Sequence, residues 1–116
     1  MPDYVVTVPK DRWDEWLCEG DLAGEEVSGE EYCFYLGGEP PTDYIAGDRI
    51  YIVAHGKLRG YAPLVYVEEY RKSFAFVRGG RAVAVTINEP IQGFRGWRKR
   101  WWERKDEIPF PEWRIA

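Results

Sequence analysis

The stretch RIYIVAHGKLRGYAPLVYVEE (residues 49–69) decides the fold, because it consists of two strand-forming segments joined by a tight turn. Residues 49–54 are rich in β-branched and aromatic side chains, which favour a strand. His55-Gly56 follows as a two-residue turn, since glycine adopts positive φ freely and histidine tolerates it better than most residues. Residues 57–69 then return as a long strand. The stretch predicts an antiparallel hairpin at the centre of the protein.

Other segments extend this hairpin into a mainly β domain. The long second strand is expected to bend at Gly60 or Pro63. Residues 11–18 differ, because Trp13 and Trp16 lie three residues apart and so share one face of a helix. Four further segments have strand-forming composition and end near glycine or proline: residues 3–8, 31–36, 73–78 and 81–87. The sequence predicts an α+β fold, mainly β: one domain over residues 1–116, with one early helix and a small β-barrel.

The C-terminal segment, residues 93–105, lacks the alternation of a strand and is predicted to be helical or irregular. Phe94, Trp97 and Trp101 lie at positions i, i+3 and i+7, which places them on one face of a helix. Trp102 falls outside that stripe. We therefore expect the Trp102 ring to face a ligand rather than the core.

Composition excludes several classes of protein. The 116 residues are 45% hydrophobic and 16% aromatic, which is enough for one folded core. No apolar run approaches the roughly 20 residues of a membrane span, and the first residues do not resemble a secretory signal. The sequence thus predicts a cytoplasmic protein with no membrane partner. Asn88 and Gln92 are the only residues with side-chain amides. A low content of such thermolabile residues together with many charged residues is typical of proteins adapted to heat.

The inventory of metal-binding side chains is equally small. His55 is the only histidine, and Cys18 and Cys33 are the only cysteines. Three such residues cannot supply the four ligands of a structural zinc site built from cysteine and histidine. No metal and no cofactor is therefore expected. His55 is interpreted as a turn residue, and both cysteines as reduced thiols in the core.

Charge is distributed unevenly along the chain. The net charge is −4, yet residues 1–47 carry −10 and residues 48–116 carry +6. Within the second half, cations and aromatic rings interleave densely over residues 94–105. Cations bind phosphates and aromatic faces stack on bases, so this pattern predicts nucleic-acid binding. The candidate contact residues are Tyr35, Lys57, Arg59, Arg95, Trp97, Arg98, Lys99, Arg100, Trp101 and Trp102.

Other interpretations of the same residues stay open. The rings of the C-terminal segment could fill the core, with the cations as a solvated face. Lys57, Thr86 and Glu89 form a speculative hydrolytic set, although no spacing singles out a carboxylate pair. The glycines of residues 37–41 could bring backbone amides close to an anion, or simply form a turn. An acidic first half also fits a protein-interaction or inhibitor module with a basic partner.

One segment resembles a known superfamily. Gly47-Asp48-Arg49-Ile50-Tyr51-Ile52-Val53, followed by Gly56-Lys57-Leu58-Arg59-Gly60, is similar to the central hairpin of PUA-like domains, which include the ASCH and EVE groups. The resemblance covers residues 30–95 and implies a pseudobarrel that binds RNA or a modified or flipped base. Some ASCH proteins hydrolyse an acetylated cytidine, so a small hydrolase of a modified nucleoside is the alternative. The ASCH pattern G-x-K-x-x-E-x-R is missing from this chain.

Overall fold

The computed structural model describes residues 2–19, 31–79 and 82–115. The elements follow in the order β1 (Tyr4–Thr7), α1 (Trp13–Glu19), β2 (Glu31–Gly37), β3 (Arg49–Ala54), β4 (Lys57–Glu69), β5 (Ser73–Gly79), β6 (Val85–Thr86), β7 (Trp97–Lys99) and β8 (Ile108–Pro109). Short 3-10 turns at Lys10–Arg12 and Arg104–Asp106 complete the set. The protein is α+β and mainly β, as predicted.

Six strands form one mixed sheet in the order β2-β5-β4-β3-β1-β7. The predicted central hairpin is confirmed: β3 and β4 pair antiparallel, and His55 adopts a φ of 49° in the turn between them. β1 joins β3 in parallel, whereas β7 pairs antiparallel with the free edge of β1. β6 and β8 form a separate two-stranded sheet. Of the predicted strand over residues 81–87, the described residues include the short strand β6 and an isolated bridge between Val83 and Tyr61.

The six-stranded sheet is strongly curled. In a flat sheet, β2 and β7 would lie about 24 Å apart, since five strand spacings separate them. Yet the indole Nε1 of Trp97 in β7 donates to the carbonyl of Glu39 at 3.0 Å, only two residues after β2 ends. Two residues span about 7 Å at most. The edges of the sheet must therefore approach each other around the core, although no described hydrogen bonds join β2 to β7 as a ladder.

The core lies inside this curl. Trp13 and Trp16 are both buried there, which confirms the shared helix face that their spacing predicted. Their rings pack with buried residues of the sheet such as Tyr4 and Phe76, whose ring centroids lie 5.6 Å apart. A second, smaller cluster on the other side of β1 and β3 contains Val5, Tyr51 and Trp102, among others. The sheet thus has apolar contacts on both faces.

The helical interpretation of residues 93–105 is wrong: the segment is irregular apart from β7 and the start of the second 3-10 turn. Gly96 adopts a φ of 73°, which interrupts any helix, and the next three residues pair with β1 instead. The free hydrogen-bonding edge of β1 is a partner that local spacing does not reveal. Residues 20–30, 80 and 81, which include the first residue of the predicted strand over residues 81–87, lie outside the described residues.

The positions of the two cysteines and of Arg59 also differ from those expected. Cys18 and Cys33 are free thiols and both are exposed, because one lies on the outer side of α1 and the other on the outward face of β2. The β3–β4 register shifts so that Ile52 pairs with Gly60 and Val53 with Leu58. Arg59 is the extra residue of this bulge, and a bulge redirects the side chain that it carries.

Substitution of Gly60 by alanine is expected to destabilise the fold by about 1–3 kcal/mol. An added Cβ would lie 2.6 Å from the carbonyl oxygen of Val83, and the φ of Gly60 is 156°. Urea denaturation of Gly60→Ala measures the loss. Gly37→Ala is the matched control, because no described atom lies within 4 Å of its added Cβ. Equal midpoints for both variants would show that the Gly60–Val83 approach relaxes freely.

Candidate functional site

A groove lies beside α1, where β1 and β2 approach without pairing. Pro9 ends β1, and the chain turns directly into the helix, which leaves one side of the opening walled by α1. Alternation along β2 turns Phe34 and Leu36 towards the core and Tyr35 outwards. The groove has a volume of about 420 Å³, within the usual range for small-molecule sites. Its walls are formed by Thr7, Val8, Pro9, Arg12, Glu15, Trp16, Cys33, Phe34, Tyr35, Leu36 and Arg78.

A buried arginine lies at the inner end of this groove. Arg78 on β5 is only 3% exposed, and its guanidinium carbon lies 4.7 Å from both the Trp16 and the Tyr32 ring centroids. Burial lowers the pKa of Arg78 to about 10. The side chain therefore keeps its charge at pH 7 while losing much of its hydration. A cation held between rings in this way is a strong hydrogen-bond donor for a ligand that displaces water.

The groove also contains an unused indole donor. Trp16 is 4% exposed, and its Nε1 has no hydrogen-bond acceptor among the described residues. A buried N–H without a partner costs free energy, which an acceptor group can recover. At the outer end, Tyr35 is 65% exposed and its ring lies 6.4 Å from that of Tyr70. The groove thus combines apolar walls, donors at its base and an accessible ring at its entrance.

A basic and aromatic surface continues from the groove. The hydroxyl of Thr7, a groove residue, accepts a hydrogen bond from the Phe94 N–H at 3.1 Å. The Arg98 guanidinium lies 4.2 Å above the Phe94 ring, and the Trp101 ring lies 6.4 Å from it. We call Phe94, Arg95, Arg98 and Trp101 the basic edge. Arg95, Arg98 and Trp101 are exposed, and in the described part of the chain neither arginine forms an ion pair.

Several residues that were predicted to contact nucleic acid instead form hydrogen bonds or ion pairs within the protein. Trp102, expected to face a ligand, is 8% exposed and donates through Nε1 to Glu107 at 2.9 Å. Arg100 is paired with the buried Asp3 at 2.8 Å. Both corrections have one cause: the segment after β7 folds back over β1 and β3 rather than forming a free helix. These two residues do not belong to an accessible site.

Arg59 was expected on the surface beside Lys57, and that expectation is wrong. Its Nε donates to the Ala54 carbonyl at 2.8 Å, and its Nη1 donates to the carbonyls of Trp113 and Ile115. The bulge turns Arg59 inwards, where it binds the backbone of residues 113–115 near the end of the chain. Lys57 itself is exposed, at the turn between β3 and β4.

The remaining candidates take intermediate positions. Trp97 is half-buried, with its ring edge against Tyr4 at a centroid distance of 5.4 Å. Lys99 is exposed but forms an ion pair of 2.6 Å with Asp43, which offsets its charge. Of the predicted set, the structure brings Tyr35 to the groove and Arg95, Arg98 and Trp101 to the basic edge.

The speculative hydrolytic set is not assembled. Among the described residues, no hydrogen bond or ion pair joins any two of Lys57, Thr86 and Glu89. The Thr86 hydroxyl donates to the Ile87 carbonyl, and Glu89 accepts from the Trp101 indole at 3.3 Å. Within residues 2–19, 31–79 and 82–115, no three histidine, cysteine or acidic side chains are grouped to hold a metal. The described helices include none that is long and apolar enough to span a membrane.

Sequence reasoning missed Arg12, Trp16 and Arg78 as groove residues. Trp16 was assigned to the core, which is correct, but one face of its environment opens into the groove. Arg78 follows the apolar run Phe74–Val77, and a cation at the end of a buried strand was the available signal. Comparison with protein-family models, curated proteins and solved structures finds no match for this chain.

Proposed function

We propose that the protein is a nucleic-acid-binding module that takes one unpaired or flipped base into the groove. The observation that carries this proposal is the groove itself, with a charged Arg78 and the Trp16 indole N–H at its base. The groove is large enough for a planar base with its sugar, and enzymes and readers that act on single bases hold them in such pockets. Tyr35 at the entrance supplies a ring for stacking.

Polarity of the groove supports a base rather than a wholly apolar ligand. Arg12, Arg78 and Trp16 present donors, whereas Glu15 and Thr7 present acceptors. A base edge carries both donors and acceptors. The scarcity of side-chain amides argues against reading a long duplex, because asparagine and glutamine are the usual readers of adenine. We therefore propose that the protein recognises a single base, either in RNA or as a modified base in DNA.

The basic edge is the proposed path of the sugar-phosphate backbone. Arg95 and Arg98 are exposed cations without ion-pair partners in the described part of the chain, so phosphates can bind them without breaking an ion pair there. Trp101 and Phe94 lie beside them and offer stacking surfaces for neighbouring bases. The hydrogen bond between Thr7 and Phe94 links this edge directly to the groove.

The curled sheet supports a further proposal, that the fold is a PUA-like pseudobarrel. In such a barrel the groove would lie between β2 and the C-terminal end of β1, next to the gap where the end strands β2 and β7 approach. Cytoplasmic residence and adaptation to heat remain proposals that rest on composition. Lys57, Thr86 and Glu89 are not joined by any described hydrogen bond or ion pair, so they give no support to the hydrolase alternative.

Tyr35→Ala is expected to weaken oligonucleotide binding by about 1–3 kcal/mol, or roughly 5- to 150-fold, through loss of stacking. Because Tyr35 is 65% exposed, the fold should be unaffected. Fluorescence anisotropy with labelled single-stranded RNA and DNA measures the affinity. Tyr66→Ala is the matched control, an exposed tyrosine on β4 outside the groove lining. Equal affinities for the two variants would remove the groove from the binding site.

Arg98→Gln is expected to reduce the slope of log K against log salt by about one unit, because one phosphate contact is lost. Arg71→Gln, an exposed cation in the turn between β4 and β5, is the control and should keep the wild-type slope. If wild-type protein shows no salt-sensitive binding to RNA or DNA at low ionic strength, the proposed function is overturned in favour of the protein-interaction alternative.

A further inference from the structure

A second cavity lies between the β3–β4 hairpin and the residues around β8. It has a volume of about 620 Å³ and lies between β3, β4, β6 and the segment that contains β8. It shares no lining residue with the groove. Its polar lining includes Arg49, Tyr61, Arg104 and Glu107.

The cations beside this cavity exceed the anions. Three arginines, Arg49, Arg100 and Arg104, surround two carboxylates whose side chains are almost fully buried, Asp3 and Glu107. All five groups belong to one connected set of ion pairs and hydrogen bonds, with a net charge of +1. Buried or half-buried cations are stable when a nearby anion balances them. The cluster therefore carries one surplus positive charge, on guanidiniums that are partly open to solvent.

The Tyr51 hydroxyl, which is hydrogen-bonded within the cluster, does not supply a negative charge. Tyr51 donates to Glu107 at 2.5 Å and accepts from Arg49 at 3.2 Å. Burial raises the pKa of Tyr51 well above its usual value, and the Glu107 carboxylate raises it further. The phenol is therefore neutral at pH 7 and acts only as a bridge. The surplus positive charge of the cluster is therefore not neutralised by this phenol.

Two guanidiniums keep donors available towards the cavity that they line. Arg49 uses Nη1 for Tyr51 and Glu107, and among the described residues its Nε and Nη2 have no acceptor. Arg104 uses Nε and Nη2 for a bidentate contact with Asp3, and its Nη1 has no described acceptor. Arg49 is also held in place by Tyr61, whose ring centroid lies 4.0 Å from the guanidinium carbon. Fixed, partly exposed guanidiniums are the preferred partners of carboxylate and phosphate oxygens.

The rest of the cavity is apolar. Pro109, Phe110 and Pro111 form one wall, and Val83 and Val85 form part of another. A bare inorganic ion would leave these surfaces in contact with water. An organic body attached to the anion would cover them and gain the free energy of apolar burial.

We propose that this cavity binds a small organic anion, an apolar or aromatic body that carries one phosphate or carboxylate group. The anionic oxygens accept from Arg49 and Arg104 and complete the charge balance of the cluster. The organic body packs between Phe110 and Val85. This site is separate from the groove and does not depend on the function proposed for it.

Isothermal titration calorimetry with model compounds tests the proposal. Phenyl phosphate or benzoate is expected to bind with a Kd of about 1 mM or tighter. Inorganic phosphate and phenol should each bind at least tenfold more weakly than the better of these two, since each lacks one half of the recognised chemistry. Failure of both phenyl phosphate and benzoate to bind overturns the proposal. Equal binding of phenol overturns the role of the arginines, and equal binding of inorganic phosphate overturns the role of the apolar wall.

A substitution at Pro111 assigns any binding to this cavity. Pro111 is exposed and lines the cavity, so Pro111→Glu places a carboxylate beside the cluster while leaving its ion pairs intact. Pro111→Glu is expected to lower the affinity for the better-binding compound at least tenfold, whereas Pro111→Gln keeps it within about twofold. Equal effects of the two variants would contradict the charge argument. Thermal melting of both variants checks that the fold is kept, and oligonucleotide affinity, measured in parallel, tests the groove separately.

Discussion

Trp102→Ala is expected to lower the free energy of unfolding by about 3–5 kcal/mol, the usual cost of truncating a large ring in a core. Trp102 is 8% exposed, and its ring lies edge-on to Tyr51 at a centroid distance of 5.1 Å. Its indole N–H also donates to Glu107, so the substitution removes one donor from a buried carboxylate. Urea denaturation at pH 7 measures the loss.

Trp101→Ala is the matched control for this experiment. Trp101 is the next residue, but it is 45% exposed and belongs to the basic edge. Its removal is expected to cost below about 1 kcal/mol of stability and to weaken oligonucleotide binding instead. Trp102→Ala should lose stability without a specific loss of affinity once the protein is folded. The reverse pattern, a stable Trp102→Ala protein with impaired binding, would restore the ligand-facing role that spacing alone predicted.

Asp3→Asn is expected to destabilise the protein by about 3–5 kcal/mol, because it leaves two guanidiniums without their shared carboxylate. The Asp3 side chain is completely buried and lies 2.8 Å from both Arg100 and Arg104. One carboxylate oxygen also accepts from the backbone N–H of Arg49 at 2.9 Å. The substitution therefore affects the N-terminus, β3 and the C-terminal segment together.

Asp43→Asn is the control for the Asp3 experiment, because it breaks an ion pair of similar length. Asp43 and Lys99 lie 2.6 Å apart but are each about half exposed, so solvent screens their attraction. We expect a much smaller loss than for Asp3→Asn. Similar losses for the two variants would show that the buried location of Asp3 contributes little.

The contribution of Asp3 should also depend on pH. Burial raises the pKa of Asp3, but hydrogen bonds from Arg104, the Arg49 amide and Arg100, with the charge of Arg104, outweigh it and hold the pKa below its usual value. The stabilisation is therefore complete above the unfolded-state pKa of about 3.9 and is lost as the pH falls through the lower, folded-state pKa. The difference in unfolding free energy between wild type and Asp3→Asn should shrink over that acidic range. A difference that stays constant from pH 7 to acid would contradict this assignment.

The local sequence pattern was sufficient to predict those elements whose residues interact mainly with residues nearby in the sequence. The β3–β4 hairpin followed from strand-forming residues on both sides of His55-Gly56, since the turn brings adjacent segments together. The buried face of α1 followed from the three-residue spacing of Trp13 and Trp16. In each case the deciding interactions lie within about twenty residues of one another.

Local pattern failed where a distant partner competed with it. Phe94, Trp97 and Trp101 have helical spacing, but the free edge of β1 offered backbone hydrogen bonds and Gly96 allowed the turn that reaches them. Arg59 alternates with Lys57 as a surface residue would, yet a single bulge turned its side chain inwards. A register shift of one residue reverses which face a side chain occupies, and no composition signal marks it.

The sequence by itself determined the fold class, the central hairpin, the early helix and the presence of a surplus of cations in the second half of the chain. Only the tertiary structure decided which of those cations are accessible. Asp3 lies 97 residues from Arg100 and 101 from Arg104, yet it binds both. A buried carboxylate needs partners wherever the fold supplies them, so Asp3 occupies donors of both Arg100 and Arg104, whereas Arg95 and Arg98 are exposed and form no ion pair in the described part of the chain.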